Sequence, residues 1–214
     1  MSILTGFTEL DRLTGGLAPG ELTVIAGRPG MGKTALCWSL AKNITQNGAK
    51  VCVVALAEGV AGNFTHYNVH MQSHHFCVAL ENLKGCGFDY DVIIFTAIFC
   101  GNNTTAKELY SSLKTFAVNE NVAVVVETHT NRKTESLEDK RPALKHIRNH
   151  ATVNKYADTV LTVYRDNYYN PENRNSDFEV IVVKSNTGRL GTAILKFEID
   201  AIPAIIRVPA IKNM

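Results

Sequence analysis

The chain carries a glycine-rich stretch, "GRPGMGKT" at residues 27–34, whose residue types and spacing could bind phosphate groups. In the pattern GxxxxGK[ST], backbone N–H groups surround phosphate oxygens, the lysine neutralises the outer phosphates and the hydroxyl residue binds Mg²⁺. The stretch follows the apolar run "LTVIA" and opens the helical pattern "TALCWSLAKNI". This strand, loop, helix order predicts a site for ATP with Mg²⁺, the metal being held by the hydroxyl of Thr34. The predicted cofactor-binding residues are Gly27, Arg28, Pro29, Gly30, Met31, Gly32, Lys33, Thr34 and Ala35.

Six short apolar runs predict the elements that must position this loop. They are "LTVIAG", "VCVVAL", "DVIIFTA", "VAVVVET", "TVLTVY" and "FEVIVVK", separated mostly by segments with helical spacing. Nearly continuous apolarity indicates strands that are buried on both faces, so we predict an α/β fold with a mostly parallel central sheet flanked by helices. Gly188 and Gly191 then predict a tight link in a C-terminal antiparallel hairpin extension.

Composition narrows the class of protein. The 214 residues, 45% of them hydrophobic, are enough for one core, and we expect a single domain over residues 1–214. With 22 Lys and Arg against 20 Asp and Glu, any contact with nucleic acid must come from a local patch. The absence of a long apolar run and of a signal-peptide pattern predicts a cytoplasmic protein without membrane contact. Five cysteines, mostly in apolar stretches, favour reduced and buried thiols.

Longer stretches of the chain resemble a known family. "TGFTELDRLTGGLAPGELTVIAGRPGMGKTAL", the stretch from "LKTFAVNENVAVVVETHTNR" through "DKRPALKHIR" to "YADTVLTVYRD", and "VIVVKSNTGRLGT" resemble the RecA-like C-terminal ATPase domain of DnaB-type replicative DNA helicases. The resemblance implies a P-loop NTPase that forms a ring, possesses ATP sites between neighbouring subunits and translocates on single-stranded DNA. The chain starts at the ATPase domain, so we expect no N-terminal helicase domain, and the region before "DVIIF" is short for the family.

The resemblance assigns catalytic roles to particular positions, and this chain departs from the family at several. Where an Asp should orient Mg²⁺ after the third core strand, the chain has Thr96; Asp91 lies roughly 16 Å away along the strand. The general base is predicted to be Glu58, one residue later than expected, with a first-turn helix acid as the alternative. His129 stands where the family usually has a phosphate-sensing Gln, and a surface-loop His is the alternative.

The arginine finger that the family inserts into a neighbour's ATP site is also altered. The pattern "KxRNG" reads "KSNTG" here, so Lys184 is kept, Asn186 replaces the Arg and Arg189 follows three residues later. We predict Lys184 and Arg189 as the catalytic residues of this hairpin. Removing such a finger or a metal acid costs several kcal/mol of transition-state stabilisation. The departures together predict that ATP binding persists better than ATP hydrolysis.

The DNA contacts that the resemblance implies fall in residues 132–151. The family segment "DLRESG" reads "HIRNHA", and the predicted DNA-binding residues are Arg132, Lys133, Arg148, Asn149 and Ala151. A solvated loop and helix face is the alternative interpretation of this basic region. The two polar stretches at 131–142 and 165–177 are predicted to be mobile loops.

A histidine-rich segment offers a different chemistry. His66, His70, His74 and Cys77 would line one face of a helix, as metal ligands do. An amphipathic helix with its histidines on the polar face explains the segment more simply, because residues on a single helix rarely hold zinc alone. Trp38, Tyr168 and Tyr169 are likewise predicted to pack in the core or on the surface, with base stacking as the alternative.

The sequence therefore predicts an ATP-binding, DnaB-like helicase ATPase domain that acts on single-stranded DNA in replication or repair. The predicted partners are single-stranded DNA, further copies of the chain in a hexameric ring, and other replication proteins. One alternative is a regulatory or structural ring subunit that holds ATP without translocating. A second alternative is a RadA-like or KaiC-like ATPase.

Overall fold

A computed structural model describes residues 1–55, 65–68, 89–96, 105–170, 172 and 177–196. Its strands form one sheet of eight in the order β3-β2-β4-β5-β1-β6-β7-β8. The strands are β1 (Leu22–Gly27), β2 (Val51–Ala55), β3 (Thr65–Asn68), β4 (Val92–Phe95), β5 (Ala123–His129), β6 (Thr159–Tyr164), β7 (Phe178–Lys184) and β8 (Gly191–Leu195). Pairing is parallel from β3 to β6 and antiparallel from β6 to β8. The predicted parallel sheet and C-terminal hairpin are confirmed.

Helices cover both faces of this sheet. They are α1 (Thr8–Thr14), α2 (Lys33–Gln46), α3 (Ala106–Glu120), α4 (His150–Tyr156) and α5 (Asp166–Tyr169), with 3-10 helices at Arg132–Ser136 and Leu144–His146. The start of α3 is defined by a capping box, in which the Thr105 hydroxyl accepts from the Glu108 N–H at 3.2 Å and the Glu108 carboxylate accepts from the Thr105 N–H at 2.8 Å.

The core has two layers because side chains alternate along each buried strand. Ile25, Ile94 and Val125 pack with α2 on one face, and Val24, Ile93 and Val124 pack with α3 on the other. Trp38 is buried in the α2 layer, as predicted. Cys37 and Cys52 are buried free thiols, and burial raises the pKa of Cys52 to about 12.

Two local predictions differ from the structure. Residues 65–68 form the strand β3, which pairs with β2 in the register Val53↔His66, so the predicted helix is wrong at this point. Pairing with β2 outweighs the helical spacing of the histidines. His70, His74 and Cys77 lie outside the described residues. The predicted loops at 131–142 and 165–177 contain the 3-10 helix Arg132–Ser136 and the helix α5.

Within the described ranges, no helix has the length and apolar character required to cross a membrane. The same ranges contain no cluster of three or more His, Cys, Asp or Glu residues placed to hold a metal ion.

Candidate nucleotide site

The predicted phosphate loop links β1 to α2 at the carboxyl end of the central strand. Gly32, the residue before α2, has φ +87°, in the left-handed region, and a Cβ there would lie 2.8 Å from Cε2 of Phe178. A Cβ on Gly27 would lie 2.5 Å from Cγ2 of Val163. Backbone conformation and packing therefore both require glycine in this loop. The first N–H groups of α2 are left to bind an anion at the positive end of the helix.

Lys33, the first residue of α2, is buried beneath the loop, with 4% of its side chain exposed. Its Nζ donates a hydrogen bond to the Arg28 carbonyl at 3.2 Å and lies 3.9 Å from Oε1 of Glu127. Burial lowers the pKa of Lys33, while the Glu127 charge opposes that change. The ammonium group is thus placed at the loop, where it could meet an outer phosphate.

Thr34 contacts a carboxylate that our sequence analysis did not identify. Its Oγ1 lies 2.9 Å from Oε2 and 3.1 Å from Oε1 of Glu127, a residue of β5 with only 5% of its side chain exposed. Thr34 itself is solvent-exposed. The site therefore contains a hydroxyl and a carboxylate, which are oxygen ligands of the kind that Mg²⁺ prefers. The signal in the sequence was a single acid at the end of the apolar run "VAVVVE".

Thr96 and Glu127 occupy equivalent places on neighbouring strands. Phe95 of β4 pairs with Val126 of β5, so the next residue on each strand is Thr96 or Glu127. Thr96 is buried, with 3% exposed, and its N–H donates to the Val54 carbonyl at 2.9 Å. The uncharged Thr96 therefore directly follows β4.

His129 is brought next to the phosphate loop by the pairing of β5 with β1. Its Cα is in register with that of Gly27. Burial and the charge of Lys33 lower the pKa of His129, which favours the neutral imidazole. The His129 carbonyl accepts from the Arg148 N–H at 2.9 Å. The predicted sensor therefore connects the phosphate loop to the segment that carries Arg148.

Glu58, the predicted base, lies outside the described residues.

Lys184 and Arg189, the predicted finger residues, lie at the amino end of the parallel strands, whereas this chain's own phosphate loop lies at their carboxyl end. Lys184 pairs with Val160 at the start of β6, and its Nζ donates to the carbonyls of Asn154 and Ala157 at 2.7 and 2.5 Å. The length of β1 alone separates the two ends by roughly 16 Å. The structure does not bring Lys184 to the loop of the same chain.

The hairpin tip makes two further contacts at that amino end. Asn186 donates to Oε1 of Glu21 at 2.8 Å, and the Arg189 guanidinium donates to the Arg12 carbonyl at 3.0 Å. Glu21 directly precedes β1, so these contacts hold the tip against the amino end of the sheet.

The predicted DNA-binding residues are exposed and lie on two chain segments that contact each other through their backbones. Thr130 and Ile147 form an antiparallel bridge, and the Asn131 N–H donates to the His146 carbonyl at 2.7 Å. This pairing brings together the two segments that carry the following exposed residues: Arg132, Lys133, Arg148, Asn149 and Ala151. Asn149 adopts φ 57° before α4. Their position together is observed, and their role in DNA binding stays a prediction.

Arg28 connects the phosphate loop to the first of these segments. Its Nε donates to Oε1 of Glu135 at 2.8 Å, and Glu135 belongs to the 3-10 helix that begins at Arg132. On the other side of the loop, a Cβ on Gly30 would lie 3.0 Å from Tyr168, which is 48% exposed. Tyr168 also packs edge to face with Tyr169 at 5.1 Å. The tyrosines pack at the surface, as predicted, and adjoin the loop.

The order β1, phosphate loop, α2 within this sheet defines a P-loop protein of the RecA-like class. The family described as "DnaB-like helicase C terminal domain" matches residues 2–74 and 89–202. The chain belongs to this family, which favours the DnaB branch over the RadA-like or KaiC-like alternative.

Curated relatives agree with this family. Replicative DNA helicase DnaB of Geobacillus stearothermophilus and replicative DNA helicase DnaC of Bacillus subtilis are each 27% identical over 246 residues, covering 91% of this chain and 54% of each relative. The chain thus spans about half the length of these relatives. The aligned length exceeds the 214 residues of this chain, as expected if the relatives contain residues that it lacks.

Two solved structures share the fold. One of them is described as "The Structure Of A DnaB-Like Replicative Helicase And Its Interactions With Primase". It superposes on this chain with a TM-score of 0.79 at 24% identity, covering 92% of this chain and 60% of the other. A second solved structure, described as an ATPase domain, gives a TM-score of 0.80 at 23% identity, covering 96% of this chain and 91% of the other. The predicted RecA-like fold is confirmed.

Proposed function

We propose that this chain binds ATP with Mg²⁺ in the phosphate loop and acts as the ATPase domain of a DnaB-type helicase on single-stranded DNA, in replication or repair. One observation supports this proposal above the others. On the family's sheet, Lys33, Thr34 and His129 gather at the carboxyl end of the central strand, where open α/β sheets bind ligands.

The residues of the loop fit a Mg²⁺-bound nucleotide. The left-handed Gly32 leaves the N-terminus of α2 open to phosphate oxygens, Lys33 would neutralise the outer phosphates, and Thr34 would offer its hydroxyl to the metal. Bound Mg²⁺ would neutralise negative charge that develops on the phosphates. His129, whose pKa is lowered by burial, could donate a hydrogen bond from its ring to a terminal phosphate oxygen.

The position of the hairpin supports self-association. Lys184 and Arg189 lie at the amino end of the parallel strands, so they could reach only the loop of a neighbouring copy. A head-to-tail arrangement of that kind closes into a ring, such as a hexamer, when the rotation between subunits allows it. Other replication proteins are further proposed partners, since the description of one solved relative names primase.

The exposed basic residues support a DNA contact that is coupled to the nucleotide. Arg132, Lys133 and Arg148 would meet phosphates of the strand, and Arg148 is bonded through its N–H to the His129 carbonyl. A change at His129 on nucleotide binding would therefore move Arg148 directly.

Steady-state ATP hydrolysis, measured with and without single-stranded DNA, tests this function. The helicase proposal predicts DNA-stimulated turnover, slowed by the altered metal-acid and finger positions, that is lost in Lys33→Ala and less stimulated by DNA in Arg132→Ala/Lys133→Ala. Lys107→Ala removes an exposed charge on α3 and is the matched control, which should behave as wild type. Nucleotide affinity and assembly state are measured in the same buffer. A protein that assembles and binds ATP, yet shows no turnover with DNA, would contradict the helicase proposal.

A second function, a ring subunit that holds ATP without translocating, is favoured by the hairpin. Asn186 occupies the family's Arg position and is bonded to Glu21, while Lys184 is bonded to two backbone carbonyls of its own chain. A finger must instead stabilise charge on a neighbour's nucleotide. Tight ATP binding without DNA-stimulated turnover is the outcome that this second function predicts.

A further inference from the structure

The buried carboxylate next to the phosphate loop belongs to β5, whereas the family pattern places its metal acid directly after β4. At the end of β4 the chain has the uncharged Thr96, and at the equivalent place on β5 it has Glu127. A buried carboxylate loses its hydration and therefore needs polar or charged partners. Glu127 nevertheless occupies the end of a strand whose five preceding residues are apolar, from Val122 to Val126.

The order of the strands explains how an acid on β5, instead of β4, can still lie next to the phosphate loop. β5 lies between β1 and β4, so an acid on β5 is one strand spacing, about 4.8 Å, closer to the strand that leads into the loop. Ile94 and Val125 both pack in the layer that contains α2. Since side chains alternate along a strand, Thr96 and Glu127 are the next positions on that same face.

The contacts of Glu127 are those that a metal-orienting acid needs. Both of its carboxylate oxygens lie within 3.1 Å of the Thr34 hydroxyl, the predicted Mg²⁺ ligand. The Lys33 ammonium is 3.9 Å away. A metal ion bound by Thr34 would therefore have the carboxylate at hand, either directly or through a metal-bound water.

We propose that Glu127 is the metal acid of this chain, replacing the acid that is missing at Thr96. This inference rests on the proposed binding of Mg²⁺ with nucleotide. It also has a consequence for affinity, because the buried negative charge of Glu127 repels phosphates unless a cation lies between them. Nucleotide binding by this chain should therefore depend strongly on Mg²⁺.

The test compares nucleotide affinity in excess Mg²⁺ with affinity in EDTA, using a fluorescent ATP analogue and no turnover measurement. Wild type should bind much more tightly with Mg²⁺. In Glu127→Gln the Mg²⁺ dependence should fall by about 10- to 100-fold, as for other groups that orient metal ligands, and the affinity in EDTA should not decrease. Glu9→Gln, an exposed acid on α1, is the control and should keep the wild-type ratio.

Two further variants separate metal binding from folding. Thr96→Asp in the Glu127→Gln background returns one acid to the adjacent strand and should restore part of the Mg²⁺ dependence. Glu127→Asp keeps the charge but withdraws it from Thr34 by one methylene, so the dependence should fall even if the Gln variant does not fold. Thermal unfolding establishes which variants are native.

The outcomes distinguish this inference from the proposed function. Wild-type protein that binds nucleotide in neither buffer would overturn both. Wild-type protein with a strong Mg²⁺ dependence that folded Glu127→Gln and Glu127→Asp retain in full would overturn only the role of Glu127, leaving nucleotide binding intact.

Discussion

Replacing Gly32 by alanine should destabilise the protein well beyond the usual cost of a left-handed alanine. At φ +87° an added Cβ costs about 1–2 kcal/mol from the backbone alone. The same Cβ would lie 2.8 Å from Cε2 of Phe178, whose side chain is buried in the α2 layer. Displacing such a ring adds about 1–3 kcal/mol, as overpacking does elsewhere.

Gly48 provides a matched control for this substitution. Its φ is +89°, and an added Cβ there would meet nothing within 4 Å. Gly48→Ala should therefore cost only the backbone contribution, about 1–2 kcal/mol, and Gly32→Ala about 2–5 kcal/mol. For a chain of this size each kcal/mol lowers Tm by about 2–4 °C, so the two variants are separable by thermal unfolding and by urea midpoints.

A double-mutant cycle identifies the cause of the extra cost. Phe178→Leu removes the ring edge that the new Cβ would contact. In that background the loss of stability caused by Gly32→Ala should be smaller by at least about 1 kcal/mol. Equal losses for Gly32→Ala and Gly48→Ala would refute the reasoning that Phe178 imposes glycine at the loop.

Three further predictions concern single side chains. Thr105→Ala removes the cap of α3 and should lower the free energy of unfolding by about 1 kcal/mol. Thr105→Ser keeps a capping hydroxyl and should retain most of that stability. An unchanged free energy of unfolding in Thr105→Ala would contradict the capping box. Asp158 accepts from the Lys114 ammonium at 2.6 Å and from the first N–H of β1 at 2.7 Å, so Asp158→Ala should cost about 1–3 kcal/mol in urea unfolding, and Lys114→Met, which leaves that N–H bonded, should cost less. Because the folded-state pKa of His129 lies below its unfolded value, its contribution to stability is present above about pH 6.5 and is lost as the pH falls through the folded pKa; His129→Asn should flatten that part of the pH profile, and an NMR midpoint at or above 6.5 for its ring would contradict the prediction.

The strands and the phosphate loop were predictable because their signals are local. An apolar run such as "TVLTVY" predicts a buried strand without knowledge of its neighbours in the sheet. The phosphate loop is predicted from Gly32, Lys33 and Thr34 in succession after a strand. The family resemblance supplied the neighbours of the loop, including His129.

Glu127 was not predicted because its role depends on strand order. Expecting the acid on β4 directs attention to Thr96, and nothing in the local sequence says that β5 lies between β4 and the strand of the loop. The prediction of a helix around His66 is wrong for a related reason, since pairing with β2 is a tertiary contact that outweighs local spacing.

The contacts of the hairpin tip were also beyond the sequence. Asn186 and Glu21 are distant in the chain, and only the antiparallel return of β7 brings them together. The sequence showed that an arginine was missing at this place, whereas the structure shows what Asn186 contacts.

The most direct test of the central claim is an equilibrium titration of wild type and Lys33→Ala with a fluorescent ATP analogue in excess Mg²⁺. We predict saturable binding at one site per chain, weakened about 10- to 150-fold in Lys33→Ala because a charge-assisted contact to phosphate is lost. Unchanged affinity in a folded Lys33→Ala protein, or no saturable binding by wild type, would contradict the assignment of residues 27–34 as the nucleotide site.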